Sequence, residues 1–190
     1  METSDEQLVE RLLAGEEGAA ALLVHRYSTK LYNFAYRFTG NREEAQEATQ
    51  EALLKALQSM DRFDPRYKFS TWVYRITRNH LIDRSRRRRP TSELNEGITA
   101  DPGFSDPDGP GIRSPEVDAI RTEESEQLGR ALATLGEKYR EIIVLYHFSG
   151  LSYADIAETL KLPPGTVMNR LFRARNKLRE AMMTLQEATP

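Results

Sequence analysis

From Met60 to Arg89 the sequence reads MDRFDPRYKFSTWVYRITRNHLIDRSRRRR, and two kinds of side chain interleave along it. Phe63, Tyr67, Phe69, Trp72 and Tyr74 alternate with Arg62, Arg66, Lys68, Arg75 and Arg78. Aromatic faces stack on unpaired bases while cations neutralise phosphates, so this mixture has the chemistry of a surface for single-stranded nucleic acid. Trp72 and Tyr74 would serve equally well as core residues packed on Leu53 and Leu57. Arg84 and the run Arg86, Arg87, Arg88 and Arg89 suit a phosphate-binding end or a flexible basic tail.

A second constellation lies in LSYADIAETLKLPPGTVMNRLFRARNKLRE, near the end of the chain. A short helix from Ser152 to Leu160, a turn through Lys161 and Leu162, and a longer helix starting at Pro163 or Pro164 have helix-turn-helix proportions. At 100° per residue, Val167, Leu171, Ala174 and Leu178 fall in one arc and face a core. Asn169 and Asn176 lie opposite, flanked by Phe172 on one side and by Arg170, Arg173 and Lys177 on the other. Arginine can fork onto guanine, asparagine onto adenine, and an exposed Phe can touch a thymine methyl, which is what the major groove asks for. A plain amphipathic surface helix would share the pattern; the short helix and turn before it favour DNA.

The 190 residues include no cysteine, which excludes disulfides, thiol nucleophiles and cysteine-bound zinc. The three histidines stand apart at 25, 80 and 147, so a histidine-based metal or catalytic cluster is not expected. Gly109 and Gly111 follow no strand and make no nucleotide fingerprint. With no acidic cluster or phosphate loop visible, the sequence predicts a binding protein rather than an enzyme, with no catalytic residue, metal or cofactor.

The elements that must hold these surfaces read as helices throughout. Leu8, Leu12 and Leu13 mark a first helix ended by Gly15; Leu22, Leu23, His25, Tyr27, Leu31, Phe34, Ala35 and Phe38 mark a second, stopped by Gly40. Asn41 caps a third, with Glu43 and Glu44 in its first turn, and Ser70 or Thr71 is placed to cap a fourth running to Pro90. Ser114 as N-cap, Pro115 and Glu116 restart the pattern. Leu128, Leu132 and Leu135 carry one helix to Gly136, and Tyr139, Ile142, Ile143 and Leu145 carry the next to Gly150. Residues 90–115 are rich in Pro, Gly, Asp and Ser, with no periodicity. Basic against acidic residues number 16 to 13 over 1–90, 2 to 10 over 91–127 and 9 to 6 over 128–190. The expectation is an all-α chain of two small helical domains, 1–89 and 116–190, joined by a flexible acidic linker at 90–115, with the helix-turn-helix in the second. No apolar run reaches the roughly 18 residues of a membrane span, and the acidic start METSDEQLVE is unlike a secretory signal, so a cytoplasmic protein is expected.

Together the motifs resemble the extracytoplasmic-function (ECF) sigma factors of bacterial RNA polymerase. NREEAQEATQEALLKAL resembles the polymerase-binding helix, FSTWVYRITRNHLIDRSRRRR the helix that melts and reads the minus-ten element, and the last two helices the reader of the minus-thirty-five element. The resemblance implies that Glu47, Gln50, Glu51 and Leu54 dock on the clamp helices of the largest polymerase subunit, with the flap of the second-largest subunit as a further partner. It implies that Phe63, Lys68, Phe69, Ser70, Trp72 and Asn79 meet minus-ten DNA, the loop from Arg62 to Ser70 capturing a flipped base. Arg75, Arg78, Arg84 and Arg86 to Arg89 are then phosphate contacts, and Thr166, Met168, Asn169, Arg170, Phe172, Arg173 and Lys177 face the minus-thirty-five element. It also implies an inhibitory anti-sigma protein.

Five residues at three places depart from the family pattern. Ala48 and Thr49 replace larger aliphatics, which predicts looser packing under the polymerase face. Lys161 stands where glycine is common, at a cost of about 1 kcal/mol if its backbone is left-handed. Met168 and Asn169 replace a commonly basic residue and a serine, which alters the bases preferred. Two promoter elements two helical turns apart are separated by roughly 70 Å. A coil the length of the linker averages about 25–30 Å and fully extended reaches about 85–95 Å, so it must be stretched along an enzyme surface. A freestanding helix-turn-helix regulator would explain the last helices but would leave the aromatic-basic segment and the acidic third helix without a role.

Overall fold

A computed structural model describes residues 3–88 and 115–187, and every regular element among them is helical. The first half comprises α1 (Asp5–Leu13), α2 (Glu17–Thr39), α3 (Arg42–Gln58) and α4 (Phe69–Arg88), with a 3-10 turn at Met60–Arg62. The second comprises α5 (Pro115–Thr134), α6 (Glu137–Ile143), α7 (Tyr153–Leu160) and α8 (Pro164–Glu187), α6 running on into a π turn at Val144–Phe148. The sequence signals for α5 at Ser114 and for the linker at 90–115 fall outside the described residues, except that Pro115 is the first residue of α5.

Local chemistry sets the boundaries. Ser4 and Gln7 form a reciprocal capping box on α1, and Asp5 ties that helix to α2 by accepting from Arg26 and from the Tyr27 hydroxyl. Burial and the Asp5 carboxylate push the Tyr27 phenol well above its ordinary value, so the hydroxyl stays a donor. The α2–α3 corner is made by two adjacent residues: Gly40 at φ +69° closes α2, and the Asn41 side chain accepts from the Glu44 N–H to open α3. Leu23, Tyr27, Leu31, Phe34 and Phe38 on α2 pack against Ala45, Ala48, Thr49 and Ala52 on α3. Ala48 is fully buried, and the Thr49 hydroxyl donates to Ala45 O at 2.7 Å.

Several expectations are corrected. Val9 takes the inner position on α1 that had been given to Leu13, which is 57% exposed. Leu22 on α2 is also exposed. Neither Ser70 nor Thr71 caps α4, which begins at Phe69; Thr71 is fully buried and its hydroxyl finds no partner among the described residues. About two turns of helix from Glu137 give way to a π turn, at whose end Phe148 lies against Arg37 of α2.

The halves touch. Helix α7 lies on α4, and the π turn and α6 meet α2. Arg140, 8% exposed, donates to Leu132 O, Ala133 O and Leu135 O within its own half, and its Nη1 donates to Phe38 O at the end of α2 at 2.8 Å. It thereby satisfies carbonyls that helix ends leave open.

Candidate nucleic-acid interface

Helix α8 is held by a buried seam of Val167, Leu171 and Ala174, with Leu178 half-buried beyond them. This is the arc that a 100° repeat assigns to the core. Helix α7 fixes its approach. Ser152 and Asp155 form a capping box although the box favours Glu or Gln, and Lys161 closes α7 at φ +54°, ψ +48°. The outward face then carries Thr166, Met168, Asn169, Phe172, Arg173 and Lys177, all exposed; Met168 is 59% and Phe172 66% accessible. Asn169 and Arg173 hold no hydrogen bond or ion pair among the described residues, leaving a guanidinium and a carboxamide free to reach base edges. Arg170 is half-buried, and Lys177 leans over the Tyr139 ring with its Nζ 5.6 Å from the centroid.

The aromatic-basic segment is arranged differently. Phe63, Phe69 and Trp72 are buried and pack on one another at centroid distances of 5.2 to 6.0 Å, and Tyr27 meets Phe69 edge-on at 5.1 Å. Tyr74 is buried against Phe34. The faces of Phe63, Phe69, Trp72 and Tyr74 expected for base stacking are therefore used in the core of the first half. Tyr67 remains as the exposed ring of the segment. Beside it Arg66 folds back on Asp64, with Nε 2.9 Å from Oδ2, and holds that carboxyl below its usual range. Ser70 is half-buried, and Asn79 is exposed, accepting from Arg78 Nη1 at 3.3 Å.

Several basic side chains at the start of and along α4 already have acidic partners. Lys68 Nζ lies 3.0 Å from Asp155 Oδ2 of α7. Arg78 donates to Glu141 of α6, a side chain only 4% exposed. Burial pushes the Glu141 carboxyl up, and Arg78 opposes that shift. Asp155 feels burial too, but Ser152 and Lys68 outweigh it and hold its carboxyl low. Arg75 is half-buried near Glu158 of α7. Arg84 pairs with Glu47 on α3. Arg86 and Arg87 are exposed, Arg88 ends α4, and Arg89 lies outside the described residues.

On α3, Glu47, Gln50, Glu51 and Leu54 form one exposed ridge at positions i, i+3, i+4 and i+7, Leu54 being 51% accessible. The acidic side chains facing α4 gave no separate sequence signal. Glu141 is hidden among Ile142, Ile143 and Val144, and its partner precedes it by 63 residues.

Among the described residues no group of side chains is arranged to hold a metal ion, and no helix is long and apolar enough to cross a membrane. The Sigma-70 region 2 family model matches residues 23–91, and the Sigma-70 region 4 model matches residues 125–178. The chain is 35% identical to the ECF RNA polymerase sigma factor SigW of Bacillus subtilis, over 97% of this chain and all of that one. It is 34% identical to the ECF RNA polymerase sigma-E factor of Escherichia coli over 92% of both chains. Among solved structures it superposes on CnrH, determined in complex with the cytosolic domain of CnrY, with a TM-score of 0.70 and 26% identity over 98% of this chain and 99% of that one. An exposed, partly basic α8 face behind a capped turn, a basic α4, both regions in order and relatives matched along most or all of their length converge: the chain belongs to the ECF family of RNA polymerase sigma factors, which serve promoter recognition and transcription initiation.

Proposed function

We propose that this chain joins core RNA polymerase through the α3 ridge of Glu47, Gln50, Glu51 and Leu54, set against the clamp helices of the largest subunit, while the second half meets the flap of the second-largest subunit. In the assembled enzyme the α8 face reads the minus-thirty-five element. Lys68, Tyr67 and Asn79 offer polar and aromatic groups to a base extruded from the minus-ten element, and Arg75, Arg78, Arg84, Arg86 and Arg87 follow the phosphates. Flipping a base costs a few kcal/mol of unstacking, which contacts to the free base offset, so melting needs no hydrolysis by this chain and the protein works by binding rather than as an enzyme. It acts where polymerase and promoter DNA are, in the cytoplasm. An anti-sigma protein is a further partner; CnrH, which the chain resembles in fold, was determined in complex with the cytosolic domain of another protein, CnrY.

The observation that carries this reading is the outward face of α8, where Met168, Asn169, Phe172 and Arg173 stand exposed over a buried seam. Run-off transcription with core polymerase on a genomic fragment library tests it: transcripts with mapped starts that depend on the chain are expected. A footprint made by the chain alone and unchanged by polymerase would replace this reading with a freestanding helix-turn-helix regulator.

A further inference from the structure

Lys68, Arg78 and Arg84 are each held by a carboxylate, which neutralises the cation as it fixes it. Arg175 of α8 is held without one. Its guanidinium lies over the Tyr146 ring of the π turn, 5.0 Å from the centroid, and its Nε donates to His147 Nε2 at 3.2 Å. Tyr146 is braced in turn by the Tyr153 ring, stacked at 5.1 Å and 15°, and by the His147 ring, edge-on at 4.9 Å. Burial and then the Arg175 charge hold the His147 pKa below its ordinary value, so Nε2 stays an acceptor and the ring proton sits on Nδ1. Rings and a neutral imidazole thus orient the guanidinium without cancelling its charge.

Among the described residues, both Arg175 Nη atoms, the His147 Nδ1–H and the Tyr153 hydroxyl have no hydrogen-bond partner, and His147 and Tyr153 are exposed. A guanidinium and a ring N–H that only donate suit phosphate oxygens, which only accept, better than base edges, which mix donors with acceptors. Position agrees with chemistry. Tyr153 is the first residue of α7, the helix that crosses the backbone when a helix-turn-helix docks. Arg175 follows Met168 by seven residues and lies within about 20° of it around α8, at the edge of the outward face. We propose that Arg175, His147 and Tyr153 form a phosphate-binding site on the flank of α8, gripping the backbone beside the minus-thirty-five element and so setting the register at which Met168 and Phe172 enter the groove. Phosphate contacts fix orientation on the duplex without carrying sequence information. The site rests on the function proposed above and adds residues which that function does not use.

Promoters mapped by run-off transcription supply the duplex for the test. A series of duplexes, each with one uncharged methylphosphonate in or beside the minus-thirty-five element, is bound to holoenzyme containing the full chain or its variants. Arg175→Ala is expected to weaken binding by about tenfold. The loss should be equal at every minus-thirty-five sequence, and the salt slope should fall by nearly one unit. One methylphosphonate position should weaken the unsubstituted holoenzyme to the same extent and leave Arg175→Ala no weaker than before. Tyr153→Phe, which keeps the stacked ring and removes only the hydroxyl, should lose about threefold. Wild-type affinity in both variants, a loss confined to particular minus-thirty-five sequences, or a loss that no neutral phosphate reproduces would overturn the site. If Arg175→Ala fails to fold, full affinity of Tyr153→Phe and indifference of the unsubstituted holoenzyme to every methylphosphonate overturn it instead. Absence of any start dependent on the chain would overturn the function proposed above, a result seen before any duplex is made, so the two failures are distinguishable.

Discussion

Helices α4 and α8 are both basic, yet the chain treats them oppositely. On α4, Lys68, Arg78 and Arg84 are each matched by a carboxylate from another helix, and the aromatic rings beneath them form a core. On α8, Asn169, Phe172 and Arg173 meet solvent, and the only tightly packed side chains are those of the opposite arc. The difference teaches that short polar and aromatic side chains on a rigid outer helix can stand open to solvent, whereas long basic side chains beside a second layer of helices are held in order by internal partners.

The largest effect should come from the residue that joins the two regions. Arg140→Ala leaves four carbonyls, one of them at the end of α2, without their donor in a dry environment, at a cost of about 3 kcal/mol or more. Urea denaturation should show that loss. A fully stable Arg140→Ala protein would mean that water replaces the guanidinium and that the halves are joined elsewhere.

Next in size is the base-reading face. Arg173→Ala or Asn169→Ala should cost about 1–3 kcal/mol at a preferred promoter and relax the minus-thirty-five preference, with thermal stability unchanged because both side chains are exposed. Neutralising Arg86 and Arg87 should weaken all promoters alike and flatten the salt dependence by nearly one unit per lost phosphate contact. Holoenzyme affinities on minus-thirty-five variants at several salt concentrations separate the two. Equal shifts at every promoter for Arg173→Ala would reduce α8 to a phosphate binder like the end of α4.

Lys161→Gly should stabilise the turn before α8 by about 1 kcal/mol, since glycine adopts the φ +54° conformation without the steric cost of a side chain. A rise in Tm with unchanged promoter preference is expected. The smallest effect concerns His147 of the π turn. Its Nε2 accepts from Arg175 Nε of α8 at 3.2 Å, and burial followed by the Arg175 charge holds its pKa below the ordinary 6.5. In the window just under 6.5 the folded chain binds fewer protons than the unfolded one, so stability should fall as pH is lowered through that window. Thermal melts between about pH 5 and 7 should show this, and His147→Asn should remove it.

Legibility followed the period of each pattern. The α8 seam could be read directly because Val167, Leu171 and Ala174 recur at helical spacing while the residues between them are polar. The Gly40–Asn41 corner was equally plain, since caps are local. Phe63, Phe69 and Trp72 carried a double meaning, because large rings beside arginines suit either a base-stacking surface or a core, and only the position of α2 decides. The Arg78–Glu141 and Lys68–Asp155 pairs left no trace at all. Periodicity reports which face of a helix is apolar, and it does not report which distant carboxylate an exposed cation will meet.

The contact between α4 and α7 also has a consequence in terms of effective concentration. Tethered by a chain segment of 26 residues, the second half is presented to the first at a local concentration on the order of millimolar, whatever the amount of protein in the sample. An ion pair such as Lys68–Asp155, too weak to hold two separate molecules together, suffices under that condition, and dilution leaves it intact. Lengthening the segment twofold costs only about 0.6 kcal/mol of closure, whereas a single cut within it removes the advantage altogether. Proteolytic nicking in the segment should therefore release the first half with its basic face uncovered at micromolar protein, while even a generous insertion at the same place should leave the halves together.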